Sequence, residues 1–345
     1  MNVPARERSG VLCVGTLLVD YGKVIDAYPP RDGLATIEDI SLSTGGAALN
    51  MAVDLRRLGA RFDIGVMGCL ADDDDGDFIR AACADAGIDA QRIRVRPGVT
   101  TAFTDVMVER DGGRRTFFTH LGTNALFRAE PSDLEGSDAR ILHVGNLGAH
   151  PLMDDADADG SSGWSALLAA AQAAGMHTNM ELATFSADRL AALAGPCLPH
   201  LDSIIVNELE ASALTGQAIT ASTADEVVDW AAMLALAHGL LERGVSRLAV
   251  VHFPAGSIAA SGDGQAWRQG SVRVPPARVR STTGAGDAFA AGVIFGLHED
   301  WPVEASLRLG VAAAAACVQH HHTSDGIMPA EACLAAGDAL GYRTT

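Results

Sequence analysis

The chain has 345 residues, 48% of them hydrophobic, with 25 Lys and Arg against 43 Asp and Glu and a formal charge of −18 at pH 7. That length is enough to bury a large core, as one elaborated domain or two. So acidic a balance excludes a nucleic-acid partner, because binding the phosphate backbone needs clustered cations, and it speaks mainly to solubility.

In chain order, Val11 to Gly15 is a short apolar run ending in glycine and reads as a first buried strand, with Thr16 to Asp20 as its exit loop. Asp20 then stands at a strand's carboxyl end, where open α/β sheets collect ligands; it is either a substrate contact or a solvated loop acid. From Tyr21 to Thr44 the prolines and the alternation around Ile37 to Leu42 suggest strands outside the main sheet. Ser43 to Gly59 carries the diglycine Gly45-Gly46, then Leu49, Val53, Leu55 and Leu58 at mostly helical spacing, with Gly59 ending the helix. Asn50, a mediocre helix former close to that diglycine, is a ligand contact or a capping residue.

Phe62 to Met67 reads as the next buried strand and Asp77 to Ala86 as a helix after the acidic turn Asp72 to Asp75. Four adjacent aspartates are more simply a solvated block than a metal cage. Arg92 to Arg96, Thr101 to Glu109 and Arg114 to His120 alternate apolar and polar residues, with Asp111-Gly112-Gly113 as a turn, and complete a small sheet. That sheet, built from about 19–44 and 92–120, has the look of a lid. Beyond Pro131 the pattern alternates. Strands are expected at Ile141 to Val144, His177 to Met180, Ser203 to Val206 and Arg247 to Val251; helices at Trp164 to Ala174, Asp188 to Leu193, Glu208 to Leu214 and Thr223 to Glu242. Such alternation predicts an α/β fold with a mostly parallel sheet flanked by helices on both faces.

Asn207-Glu-Leu-Glu210 follows a strand directly. Glu210 either organises a hydrated Mg²⁺, an ion that takes few direct protein ligands, or is an ordinary acid at a helix start. The last informative stretch, residues 281 to 296, runs from Ser-Thr-Thr-Gly-Ala-Gly-Asp into an alanine-rich helix. Gly284 and Gly286 flank one small residue, and the free N–H groups of a helix start suit a phosphoryl group. Asp287 is either a first-turn acid satisfying those donors or a base beside an anion. His320 to His322 lack further ligands at metal spacing and read as a solvated helix end.

Residues Met1 to Gly10 hold Arg6, Glu7 and Arg8 with no apolar segment behind them, and no apolar run approaches the roughly 18 residues that span a bilayer. Neither a secretory signal nor a membrane partner is expected. Six scattered cysteines without a CxxC pair suit reduced thiols in a cytoplasmic protein.

Taken together, Gly45-Gly46-Ala-Ala-Leu-Asn50-Met-Ala52 with Leu58-Gly59, and Thr283-Gly284-Ala285-Gly286-Asp287 with Phe289, Ala290 and Gly292, resemble the N- and C-terminal signatures of the PfkB family of ribokinase-like sugar kinases. The resemblance covers nearly the whole chain, 1–345 as a single ribokinase-like α/β domain. It implies ATP-dependent phosphorylation of a hydroxymethyl group on a sugar or sugar-like acceptor. On that analogy Asp287 is the base, Gly284, Ala285 and Gly286 form an anion hole, and Asp20, Gly45, Gly46 and Asn50 hold the acceptor. Asn207, Glu210, Gly256 and Thr283 serve the nucleotide, and Glu210 reaches Mg²⁺ through water. A nucleoside acceptor, or a sensor that has lost turnover, are the alternatives. Flap strands in such proteins often form a homodimer contact.

The chain departs from the pattern in places. Ser281 stands where many members have Asp, which puts the monovalent-cation (K⁺) site in question. The nucleotide turn reads Val251-His-Phe253-Pro-Ala-Gly256, with only its last glycine kept. His177-Thr-Asn179-Met-Glu181 falls where fructokinase-like and ketodeoxygluconate-kinase-like members carry Asp-Pro-Asn-x-Arg, so an arginine is lost and an acid gained. Leu18 weakens ribose, and the acid at Glu181 would not welcome a second phosphate on the acceptor.

Overall fold

The computed structural model describes residues 8–110, 115–156, 160–183, 185–219 and 228–345. Short β-branched and apolar runs form the strands of a nine-stranded sheet, in the order β13-β12-β11-β10-β9-β8-β1-β4-β5. They are β1 (Val11–Gly15), β4 (Ile64–Ala71), β5 (Asp89–Arg96), β8 (Ile141–Gly145), β9 (His177–Met180), β10 (Ser203–Asn207), β11 (Leu248–Phe253), β12 (Gly256–Ser261) and β13 (Ala266–Gly270). The first seven pair in parallel; β12 and β13 add antiparallel strands at one edge. Because successive side chains point to opposite faces, Val11 and Cys13 enter one core while Leu12 and Val14 enter the other.

Helices cover both faces, as a sheet with no polar face requires. The first core takes α1 (Ala47–Arg57), α2 (Asp74–Asp85), α8 (Ala285–His298), α9 (Val303–Cys317) and α10 (Ala330–Leu340). The second takes α3 (Pro151–Asp154), α4 (Gly163–Ala173), α5 (Ala187–Ala194), α6 (Glu208–Thr215) and α7 (Trp230–Glu242). Burying each Leu, Ile or Phe of these cores contributes roughly 1.5–3 kcal/mol. From β1 the strand order runs through β4 to one edge and through β8 to the other, so the crevice for a ligand opens at the carboxyl ends of β1 and β8.

A second sheet, ordered β3-β2-β6-β7, is made of β2 (Leu18–Ile25), β3 (Ile37–Gly45), β6 (Phe103–Glu109) and β7 (Arg115–His120). Three sequence expectations change here. Arg92 to Arg96 is not in the small sheet: it belongs to β5 and pairs with β4 in the main sheet, because its neighbours Ile88 and Ile93 pack onto the first core. Asp20 is not in an exit loop but inside β2, opposite Ser43 and Thr104. The helix expected from Asp77 starts at Asp74, with Asp73 accepting the N–H of Gly76 at 2.9 Å, so the acidic run is a helix start. The turn at Asp111 to Gly113, part of the loop at 154–162 and the beginning of the helix expected from Thr223 lie outside the described residues.

Helices α8 and α9 cross on glycine. A side chain at Gly292 would come within 2.7 Å of the Gly310 backbone, whereas one at Gly195, whose φ of −50° is ordinary for a helix, would meet nothing within 4 Å. Gly292→Ala is therefore expected to lose about 1–3 kcal/mol in urea unfolding, and Gly195→Ala to lose nothing or gain up to about 1 kcal/mol.

Candidate active site

The start of α8 is built by a left-handed turn. Gly284 has φ +80°, and a Cβ there would lie 2.7 Å from that of Thr323, so both conformation and space demand glycine. No side chain caps this helix. The Ala285 N–H turns back to the Thr282 carbonyl at 3.3 Å, while no acceptor among the described residues takes those of Gly284 and Gly286. A Cβ at Gly286 would stand 3.5 Å from the His252 ring, so nothing in the protein itself crowds that position.

Asp287 follows in the first turn, at the floor of a cleft of about 820 Å³. Opposite it, α1 begins at Gly46, whose φ of +93° and closeness to the Thr16 carbonyl, 2.3 Å from a would-be Cβ, again exclude a side chain. This pins the first turn of α1 so that Asn50 Nδ2 donates to Asp287 Oδ2 at 2.7 Å. Gly45 acts differently, by making room for a carboxylate: a Cβ there would sit 2.3 Å from Asp20 Oδ2. The two glycine stretches, some 240 positions apart in the chain, thus meet as one site.

Surrounding protein raises the acids. The Asp287 pKa is pushed up to about 7 by desolvation first and then by the charges of Glu181 and Asp20, against the Asn50 bond and His143. That of Asp20 rises to about 6 through desolvation, opposed by Arg115. Arg115 also donates to the His321 carbonyl at 2.9 Å, tying β7 to the loop after α9.

Asn207, Glu210 and Thr283 line the same cleft. Asn207 Oδ1 accepts the Glu210 N–H at 2.9 Å while Glu210 Oε2 accepts the Asn207 N–H at 3.0 Å, a reciprocal cap at the start of α6. The helix-start reading of this pair is thus realised, at the edge of the cleft. Gly256 does not line the cleft: it pairs with Phe253 and Gly270, and a Cβ on it would meet the Gln269 carbonyl at 2.4 Å. From that turn it is His252 that faces the site. Burial holds its pKa near 4, so it is neutral there.

Sequence reasoning did not foresee His143, Arg189, Phe117 or Phe185. The last three also line the cleft. Among the described residues, no group of three or more His, Cys, Asp or Glu is gathered as a metal site. A second hollow of about 390 Å³ opens near the amino ends of the strands. Its Arg56 and Arg92 are committed to the carbonyls of Ala60, Phe62, Gly87, Asp133 and Glu135.

The chain matches the description "pfkB family carbohydrate kinase" over residues 9–331. It is 28% identical to an ATP-dependent ribose-1-phosphate kinase of Halopiger xanaduensis, covering 88% of this chain and 90% of that one. With a 5-dehydro-2-deoxygluconokinase of Clostridium perfringens it shares 24% identity over 95% and 92% of the two chains. Its fold superposes on that of Arabidopsis thaliana ribokinase, solved with ribose and ATP, with a TM-score of 0.77 at 21% identity, covering 96% and 98%. The ribokinase-like fold, a mostly parallel sheet between helices with a small second sheet, is thereby shown.

With its pKa raised in the folded state, Asp287 binds its proton more tightly there than in the unfolded chain. Its contribution is fully present below the ordinary carboxylate pKa and is lost as pH rises through about 7. Asp287→Asn, which keeps an acceptor for Asn50, is expected to melt above the parent protein at pH about 8, with the gap closing towards pH about 4. Thermal unfolding followed by circular dichroism at both pH values checks this.

Proposed function

The chain belongs to the pfkB family of carbohydrate kinases, and from that premise we propose that it transfers the γ-phosphoryl group of ATP to a hydroxymethyl group of a sugar or sugar-like acceptor. The observation that carries the acceptor is a pair of buried oxygens on the cleft residues Thr16 and Asn50: Thr16 Oγ1 and Asn50 Oδ1 have no hydrogen-bond partner. Unmet buried acceptors are costly, and a polyhydroxylated ligand brings the donors they lack. Asp20, with Gly45 and Gly46 giving it room, adds a further acceptor.

In this reading Asp287 takes the proton of the acceptor hydroxyl. The oxygen forms a bond to the γ-phosphorus, the bond to the bridging oxygen breaks, and its electron pair leaves with ADP. A base with a pKa near 7 is half ionised at neutral pH, which suits such a transfer. The N–H groups of Gly284 and Gly286, at the positive end of α8, hold the charge on the transferred group; Ala285 contributes less, since its N–H has an acceptor in Thr282. Phosphoryl transfer asks mainly for this kind of positioning.

Asn207, Glu210 and Thr283 are assigned to the nucleotide side. Mg²⁺ would neutralise phosphate charge there. Glu210, engaged in its cap, fits a hydrated ion reached through water better than a direct ligand. Gly256 is withdrawn from the nucleotide contacts in favour of His252. Ser281 spends its hydroxyl on the Thr283 N–H at 3.1 Å, so a K⁺ requirement is no part of the proposal. The small sheet, whose Thr104, Phe117 and Thr119 line the cleft, acts as a lid that excludes water. A nucleoside acceptor is favoured by one feature, the rings of Phe117 and Phe185 in the cleft wall, against which a base could stack.

The far face of the small sheet, the one bearing Tyr21, exposes Ile40, Leu42 and Phe118 at 64%, 46% and 52%. This apolar surface supports a homodimer through the lids. No described helix is long and apolar enough to cross a membrane, and a cytoplasmic setting goes with the proposal.

ADP release over a panel of pentoses, hexoses, nucleosides and ribose 1-phosphate is expected to reveal a turned-over acceptor, with Asp287→Asn slower by roughly 10²–10⁴-fold. Unchanged turnover in that variant would remove Asp287 as base; ligand binding without turnover in the parent would mark a sensor. Light scattering is expected to give a dimer that Leu42→Asp with Phe118→Asp converts to monomer.

A further inference from the structure

Behind the cleft wall a polar row crosses three neighbouring strands of the sheet. His143 on β8 faces Asn179 on β9, which faces Ser203 on β10, in direct register. Asn179 Nδ2 donates to Ser203 Oγ at 2.8 Å, so its Oδ1 is the atom 2.8 Å from His143 Nδ1 and requires a proton on that nitrogen. The far end of the row is closed by His177 Nε2, 2.8 Å from Ser203 Oγ. The other ring nitrogen, His143 Nε2, lies 3.3 Å from Glu181 Oε1. Two lone pairs would repel across that gap, so a single proton lies between His143 Nε2 and Glu181 Oε1. Burial alone would lower the His143 pKa, but Glu181 beside it and the bond to Asn179 hold it above the ordinary value. Gly145 keeps the space open: a Cβ there would come 3.1 Å from Glu181 Oε1 and 2.6 Å from the Ala47 side chain.

Glu181 is only 5% exposed, yet it lines the cleft together with Asp20, Asn50 and Asp287. Turned away from solvent and fixed from behind, it is not placed for solubility or for a surface ion pair. We propose that Glu181 determines acceptor specificity: its carboxylate, oriented by His143, takes a hydrogen bond from one hydroxyl of the acceptor, distinct from the hydroxyl that Asp287 deprotonates. This rests on the kinase reading above. The selected acceptor carries a hydroxyl, and no anionic group, at the position facing Glu181, because a negative charge there would share a confined space with the carboxyl groups of Glu181, Asp20 and Asp287. His143 is a positioning residue that acts through Glu181.

The test uses the whole protein with ATP, the best acceptor from the panel and each of its monodeoxy analogues, in the parent, Glu181→Ala and Glu181→Gln. A charge-assisted bond predicts that the parent loses roughly 10- to 100-fold in kcat/KM on one particular analogue. Glu181→Ala is expected to show that loss already on the full sugar, mainly through KM, and to treat sugar and analogue alike within about threefold while still discriminating the other analogues. Glu181→Gln, which keeps the shape and guards against a failure of the alanine variant to fold, is expected to lose the same selectivity. Variants that melt normally and discriminate every analogue as the parent does would overturn the inference alone. Silence of the parent on every acceptor would overturn the kinase reading, and this inference with it.

Discussion

The site rests on a conflict of charges at one helix start. The N-terminus of α8 favours an anion, yet Asp287 in its first turn is surrounded by protein and shares its cleft with Glu181 and Asp20, both of which oppose its ionisation. The Asn50 amide, 2.7 Å away, and His143 pull the other way, with the helix start. The balance leaves a carboxyl that gains and loses its proton near neutrality. Much of the architecture serves to hold that balance in place. Gly46 lets the start of α1 approach the Thr16 carbonyl and Gly284 lets the start of α8 approach Thr323, while glycines at 45 and 145 clear room for Asp20 and Glu181. A side chain at any of the four would separate the groups whose mutual influence sets the chemistry.

The same arrangement explains a division of labour across the sheet. Strands β1 and β8 part at the switch in strand order, and their carboxyl ends deliver Thr16 and the loop from Asn146 to the cleft, while β9 delivers Glu181. The small sheet closes the opposite wall with Asp20, Thr104 and Thr119. Helix starts α6 and α8 supply backbone donors and a capped acid. Each wall therefore has its own chemistry: hydroxyl acceptors on one side, anion-directed N–H groups on the other. Such a pairing suits a polyol meeting a phosphoryl donor.

What the sequence disclosed follows the same physics. The diglycine at 45–46 and the Gly-Ala-Gly-Asp of 284–287 were legible because backbone constraints leave few residue choices, and the hydrogen bond from Asn50 to Asp287 brings the two stretches together. The alternating strands and helices beyond Pro131 were legible from hydrophobic period. Asp20 was read as a candidate contact for the wrong reason: it lies within β2, and reaches the cleft because side chains alternate along that strand. Arg92 to Arg96 misled because an edge strand of the main sheet, with one flank exposed, alternates much as a strand of a small separate sheet does. Gly256 was singled out by position in a motif; it lies outside the cleft lining, where two antiparallel backbones approach closely. The polar row His143, Asn179, Ser203 left only a faint trace, polar residues scattered through three short strands. Register, which makes those residues neighbours, is written in no single segment.

The central claim, that Asp287 is a base whose pKa its neighbours raise to about 7, is tested most directly by the pH dependence of kcat/KM, which reports the free enzyme. The rate is expected to fall on the acid side with an apparent pKa near 7, and Glu181→Gln, which removes one of the charges that raise it, is expected to move that limb to lower pH. A profile flat from pH about 5 to about 8, or an acid limb that stays in place in Glu181→Gln, would contradict it.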